Sequence, residues 1–210
     1  MRSLKGTFPW KIAYVANVVA RNTKTLLIEK GQVRSAWRFE SVGGDGSPLP
    51  WLTFPAISFL ATLDLTGARV LEYGSGASTE YWAARVEEVC SVEGDADWAQ
   101  RVSARGLRNA HLTVPAGAHD YAAAGRSFGG DFDVVVVDGI ERIDCAHEAL
   151  RLAKHDGIIV LDNSDVHPEA RAVLAADDRF LPIDFEGFGP INGYTHVTTV
   201  FVSRTASRLR

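Results

Sequence analysis

The chain reads as an α/β protein: a doubly wound, mostly parallel sheet of the Rossmann-like kind, with a C-terminal antiparallel hairpin and an N-terminal helical appendage. Three observations predict it. From about residue 66, short apolar runs alternate with stretches of helical periodicity, the pattern of strand–helix–strand crossover units. Two of the runs, VVVV at 134–137 and GIIVL at 157–161, are unbroken apolar segments, as strands buried on both faces are. The last two strand-like runs, around 180–186 and 196–203, follow one another without a helix, so a hairpin closes one edge of the sheet.

The elements follow in order. IAYVANVVA (12–20) is expected to form an amphipathic helix that packs on the domain. Lys5, Lys11, Arg21, Lys24, Lys30, Arg34 and Arg38 make this region locally basic, which leaves peripheral membrane contact as the alternative. SVGGDGSPLP (41–50) is rich in turn formers and offers nothing to bury. It divides the chain into an appendage with its linker, 1–50, and a main domain, 51–210. WLTFPAISFLATL (51–63) has helical spacing, closed by Gly67. ARVLEYG is the first strand. ASTEYWAARVEE is a helix opened by Ser78 or Thr79 as cap. VCSVEGD, NAHLTVPAG, FDVVVVDG and GIIVLDN supply the next four strands. DADWAQRVSARGL is a helix ending near Gly106, ERIDCAHEALRLAKHDG one ending at His155 and Gly157, and HPEARAVLAAD the last.

Composition narrows the function. With 210 residues, 46% hydrophobic and 23% charged, the chain is globular rather than disordered. A formal net charge of −4 gives no general field for nucleic acid, and none is expected as a partner. Two cysteines, Cys90 and Cys145, are too few for a disulfide scaffold, and Cys90 sits in an apolar run that suits a buried thiol. A reducing cytoplasm fits. The longest N-terminal apolar stretch is far below the roughly 20 residues that span a bilayer, and no cleavage site follows it.

The chemistry gathers at one edge of the predicted sheet. Glu72, Glu93, Asp138 and Asp162 each end a strand, and ligands of open parallel sheets bind outside those ends. One acid there is commonly a turn or a cap; four at one edge are not. Between Glu72 and the first helix lies Gly74-Ser75-Gly76-Ala77-Ser78-Thr79, a strand-to-helix turn whose glycines let a ligand approach the backbone. Thr79 stands where a dinucleotide-binding fingerprint has its third glycine, and Glu72 would repel a pyrophosphate. It would attract a cation.

VLEYGSGAST, SVEGD, FDVVVVDG and GIIVLDN in that order resemble the class I S-adenosylmethionine-dependent methyltransferases, over about residues 66 to 204. The resemblance implies that Gly74, Ser75 and Gly76 form the turn under the methionine moiety, beside Ser78 and Thr79. It implies that Glu72 meets the ammonium and that Glu93 accepts both ribose hydroxyls, as a carboxylate suits a vicinal diol. Ala118 and His119 fall where the family contacts adenine, with Ile140 or Trp98 as an apolar face, and Asp138 borders the cofactor. PWLTFPAI, EYGSG with ST after it, VDG, VLDNSD and FEGFGPIN resemble more closely a less characterised group of bacterial methyltransferase-like proteins.

Asp138 and the pair Asp162-Asn163 also resemble the ligands of divalent-cation-dependent O-methyltransferases, which implies Mg²⁺ held by oxygen donors. Those enzymes carry a lysine just after the first aspartate, whereas here the residues are Gly139, Ile140, Glu141 and Arg142. Without it, Asp138, Asp162 or Asp165 is the candidate base, with His167 and His196 as outsiders, and Asp162-Asn163 can serve to line the pocket without metal. Trp51, Phe54, Phe188, Asn192 and Tyr194 are candidate acceptor walls, and Gly187, Gly189 and Gly193 suggest a mobile flap. The expected reaction is methyl transfer to a hydroxyl oxygen of a small molecule or glycan intermediate. An NAD-binding oxidoreductase and a non-catalytic partner-binding module are the alternatives; the oligomeric state is open.

Overall fold

A computed structural model of the chain describes residues 7–206; the predicted contribution of Lys5 lies outside them. Seven strands, β1 (Arg69–Tyr73), β2 (Glu88–Val92), β3 (Ala110–Thr113), β4 (Phe132–Val137), β5 (Ala153–Leu161), β6 (Phe180–Phe188) and β7 (Thr195–Ser203), form one sheet in the order β3-β2-β1-β4-β5-β7-β6. β1 to β5 run parallel. β7 inserts antiparallel between β5 and β6, so the predicted hairpin is present and its second strand lies inside the sheet. The strand order reverses between β1 and β4, which opens the ligand crevice at their carboxyl ends.

Alternation along the strands builds two cores. Leu71, Val135, Val137, Ile159, Leu161 and Phe201 face one layer, with α7 (Arg142–Leu152) and α8 (Pro168–Ala175) against them. Val70, Val134, Val136, Ile158, Val160 and Val200 face the other, under α3 (Phe54–Leu60) and α4 (Ala77–Ala83). All six residues of β4 are buried, the two-sided burial that its valine run predicts. α5 (Ala96–Ser103) opens at Asp95, whose carboxylate accepts from Asp97 N and Trp98 N, an N-cap of the preferred kind.

Several expected boundaries move. The helix expected to end at His155 and Gly157 stops at Leu152, because Ala153 already pairs with Phe132 in β5. The ladder shifts register between Phe132 and Val134, and this irregular start of β5 looks helical by sequence. Gly67 does not close α3, which ends at Leu60; its φ of 68° serves the turn into β1. Neither Ser78 nor Thr79 is the N-cap of α4, which is Gly76; Ser78 Oγ turns to Glu72, and Thr79 Oγ1 donates to Glu72 while accepting from Gly76 N at 3.0 Å.

The N-terminal region departs most from expectation. α1 (Phe8–Lys24) does not pack on the domain: none of its residues is buried. It runs through a π-helical turn, Thr25–Glu29, to α2 (Gln32–Arg38), and there the chain joins the body. Gln32 is buried and its Nε2 donates to Asn192 O at 2.7 Å. The glycine-rich segment after α2 was expected to bury nothing, yet Ser41 and Val42 are buried. Ser35 Oγ donates to Val42 O at 2.8 Å and accepts from Val42 N at 3.0 Å. Among the described residues, no helix is long and apolar enough to cross a membrane.

Candidate active site

Two concavities meet over the strand ends. One, of about 440 Å³, is lined by Glu72, Gly74, Ser75, Gly76, Ser78, Asp138, Asp162 and Asn163 together with residues of the 39–52 and 191–194 segments. The other, of about 480 Å³, lies over Glu93, Gly94, Trp98, Tyr121 and Ile140. Gly74, Ser75, Trp98 and Asp138 line both, so the glycine turn is the saddle between them. Gly74 has a φ of 100°, a conformation open to glycine and strained for other residues.

Glu72 is the most constrained of the acids. It is 1% exposed, and its carboxylate accepts from Ser78 Oγ at 2.8 Å, Thr79 Oγ1 at 2.5 Å and Ser91 Oγ at 2.6 Å. Burial raises its pKa to about 7; the three hydroxyls oppose the rise and the nearby Glu93 adds to it. A cation placed beside such a carboxylate would favour its ionised form.

Glu93 is 18 residues beyond the turn yet lies against it. Its carboxylate accepts from Ser75 N at 3.0 Å and Ser75 Oγ at 2.7 Å through one oxygen, and from Asp95 N at 3.0 Å through the other. Trp98 Nε1 donates to Ser75 O at 2.8 Å, so the indole pins the turn while its ring lines both cavities. Ile140, half exposed, faces the second cavity. His119 is exposed in the turn Ala118–Asp120, and Tyr121, just beyond it, lines the cavity, its hydroxyl donating to Val92 O at 3.1 Å.

On the other side, Asp138 and Asp162 both reach the first cavity. Burial, then the neighbouring Asp162, push the Asp138 carboxyl well above the usual range, against the pull of Arg142. Arg142 Nη2 donates to Asp138 Oδ1 at 3.1 Å and to Asp138 O at 3.2 Å, Nε to Gly139 O at 3.0 Å, and Nη1 to Asp162 O. Asp162 Oδ1 accepts from Thr198 Oγ1 at 2.5 Å, with His196 Nε2 at 3.5 Å. Thr198 Oγ1 accepts in turn from Thr53 N at 3.0 Å, tying the start of α3 to the site.

The Mg²⁺ implied by the partial resemblance would fall to Asp138, Asp162 and Asn163, which all line the first cavity. A guanidinium stands beside Asp138, and Asp162 Oδ1 accepts from Thr198 Oγ1. Arg142 already supplies the local positive charge.

The stretch Asp162-Asn163-Ser164-Asp165 divides its labour. Asp162 and Asn163 line the cavity, while Ser164 Oγ meets Thr199 Oγ1 at 2.6 Å and Asp165 Oδ1 accepts from Val197 N at 3.2 Å, fastening the turn to β7. His167 precedes α8; burial, then Arg142, lower its pKa. Of the expected acceptor walls, Trp51, Asn192 and Tyr194 line the first cavity, with Trp51 Nε1 donating to Asn192 Oδ1 at 2.9 Å. Phe54 does not, being buried in the core; nor does Phe188, which pairs with Thr195 at the end of the hairpin. Packing accounts for two of the three glycines there: a Cβ on Gly187 would lie 2.8 Å from Pro55, and one on Gly189 2.9 Å from His196, whereas one on Gly193 would meet nothing within 4 Å.

Sheet order, glycine turn and crevice define the class of fold: that of the S-adenosylmethionine-dependent methyltransferases. Cofactor-bound Rv0187 from MTB superposes with a TM-score of 0.60 at 20% identity, over 90% of this chain and 96% of its own. A protein of Klebsiella pneumoniae described as an O-methyltransferase gives 0.54 at 20% identity over 71% and 78%. SMU.776, described as a methyltransferase and complexed with SAH, gives 0.52 at 14% identity over 68% and 47%. At these identities the likeness establishes the fold. No family model matches the chain, and no curated protein matches it.

Proposed function

We propose that the protein is an S-adenosylmethionine-dependent methyltransferase acting on a hydroxyl oxygen of a small molecule or glycan intermediate. The observation that carries this reading is the buried Glu72 carboxylate under the Gly74–Gly76 turn, held by three hydroxyls and ionised more readily beside a cation. Glu93 across the saddle offers acceptors to a diol. Together they suit a ligand with an ammonium at one end and a ribose at the other, lying across both cavities.

The bound cofactor supplies an electrophilic methyl group on a sulfonium. The chain's residues hold, orient and deprotonate. Glu72 takes the ammonium and Glu93 the ribose hydroxyls, with Trp98 and Ile140 flanking the base. Trp51, Asn192 and Tyr194 place the acceptor in the first cavity, where most of the rate comes from proximity and exclusion of water. Asp138, whose pKa burial and the neighbouring Asp162 raise, accepts the hydroxyl proton as the carbon–oxygen bond forms. Arg142 holds it in place. The products are the methyl ether and S-adenosylhomocysteine.

Glu93→Ala is the first test. Losing both ribose hydrogen bonds to a charged acceptor is expected to weaken S-adenosylhomocysteine binding roughly a hundredfold, measured by calorimetry with the fold checked by circular dichroism. Unaltered affinity in a folded variant would remove the assignment. Binding of NAD by the native chain, without binding of S-adenosylhomocysteine, would replace it with a nucleotide-dependent oxidoreductase.

A further inference from the structure

α1 has no role in the site or the core, and its composition is unlike the rest of the chain. Phe8, Ile12, Val15 and Val19, spaced four, three and four apart, share one helix face. They are 75%, 55%, 59% and 58% exposed. On the opposite face Trp10 stacks on Tyr14 at 5.2 Å, with Arg21 two turns further on. Lys11 borders the aliphatic stripe. The first acidic residue of the sequence is Glu29. Residues 1–38 hold eight Lys/Arg and one acid, a formal +7, while the remaining residues hold 14 Lys/Arg and 25 acids, a formal −11.

We propose that α1 is an interfacial helix that docks the protein on an anionic lipid surface. The aliphatic face enters the acyl boundary. A helix is about 10 Å across, so when it is half sunk the opposite face lies among the headgroups. Tryptophan, tyrosine and arginine are favoured at that depth. The acid-free run of cations answers the negative surface, each worth roughly 1 kcal/mol near it. A second copy packed by the aliphatic stripe is the poorer occupant, since a parallel pair would set Lys11, which borders the stripe, against its own copy with no acid on α1 to offset the charge and would leave the Trp10–Tyr14 face without a partner. After α1 the same segment reaches Phe39 and Glu40, which line the first cavity.

Co-sedimentation of the full chain with vesicles tests this. The protein is expected to pellet with phosphatidylcholine vesicles containing phosphatidylglycerol, to remain in solution with phosphatidylcholine alone, and to be released by high salt. Val15→Asp with Val19→Asp should abolish pelleting. Lys11→Gln, Arg21→Gln and Lys24→Gln should each weaken it roughly fivefold. Because all these side chains are exposed, the melting temperature should not change. Failure to pellet with the anionic vesicles, or equal pelleting on both kinds, overturns the proposal. So does a lipid-free dimer, seen by light scattering, that Val15→Asp with Val19→Asp converts to monomer.

Discussion

Glu72→Gln is expected to stabilise the free protein at mildly alkaline pH while weakening its affinity for the cofactor. Folding raises the Glu72 pKa from 4.5 to about 7, so the folded state holds the proton more tightly than the unfolded chain. The stabilisation from that proton is complete below the unfolded value and is lost as pH rises through the folded one. Above it the ionised carboxylate costs about 3 kcal/mol, which the neutral glutamine avoids. In a chain of this length that corresponds to several degrees in melting temperature. The three hydroxyls can rotate to serve an amide, so packing should survive. Melting curves of both proteins at about pH 5 and about pH 8 check this: the gain should be confined to the higher pH. S-adenosylhomocysteine binding should fall about tenfold or more, the worth of one lost bond to a charged partner.

Asp138→Asn is expected to leave cofactor affinity nearly intact and to lower the rate of methyl transfer about a hundredfold or more, the usual share of a positioned base. Asparagine keeps the hydrogen bond from Arg142 through its amide oxygen but cannot take a proton. The native rate should climb with pH as Asp138 ionises and then level off, because the base must be charged to act. The direction of its shift, upward through burial and Asp162, places that climb above the ordinary carboxylate range. A variant with native kcat, or with a raised KM alone, would assign Asp138 to binding instead.

Much of the site was legible because the features that make it are local. Glu72, Glu93, Asp138 and Asp162 are each read from a strand followed by an acid, and the sheet order brings them to one crevice. What escaped depends on distant partners. Ser91 in VCSVEG and Thr198 in HVTTVFV are hydroxyls on otherwise apolar buried strands, a signal in itself, but which acid each serves is set by pairing across the sheet. Arg142 was visible as the residue standing near a missing lysine; only geometry shows its guanidinium fastening the ends of β4 and β5. The close of α7 was misjudged because the irregular start of β5 pairs with Phe132 through a register shift, which leaves no periodic trace. The packing of α1 was misjudged because an apolar stripe signals that a face is covered without naming the cover.

In the proposed function Glu72 and Glu93 are the two ends of one S-adenosylmethionine site. Titration calorimetry of the native chain with S-adenosylhomocysteine, repeated across neutral pH in buffers of different ionisation enthalpy, tests it most directly. A single site is predicted, with affinity rising as pH passes about 7 and with proton release on binding below that pH, as the ligand's ammonium draws Glu72 into its charged form. Absence of binding, or binding with no pH dependence and no proton release, would contradict it.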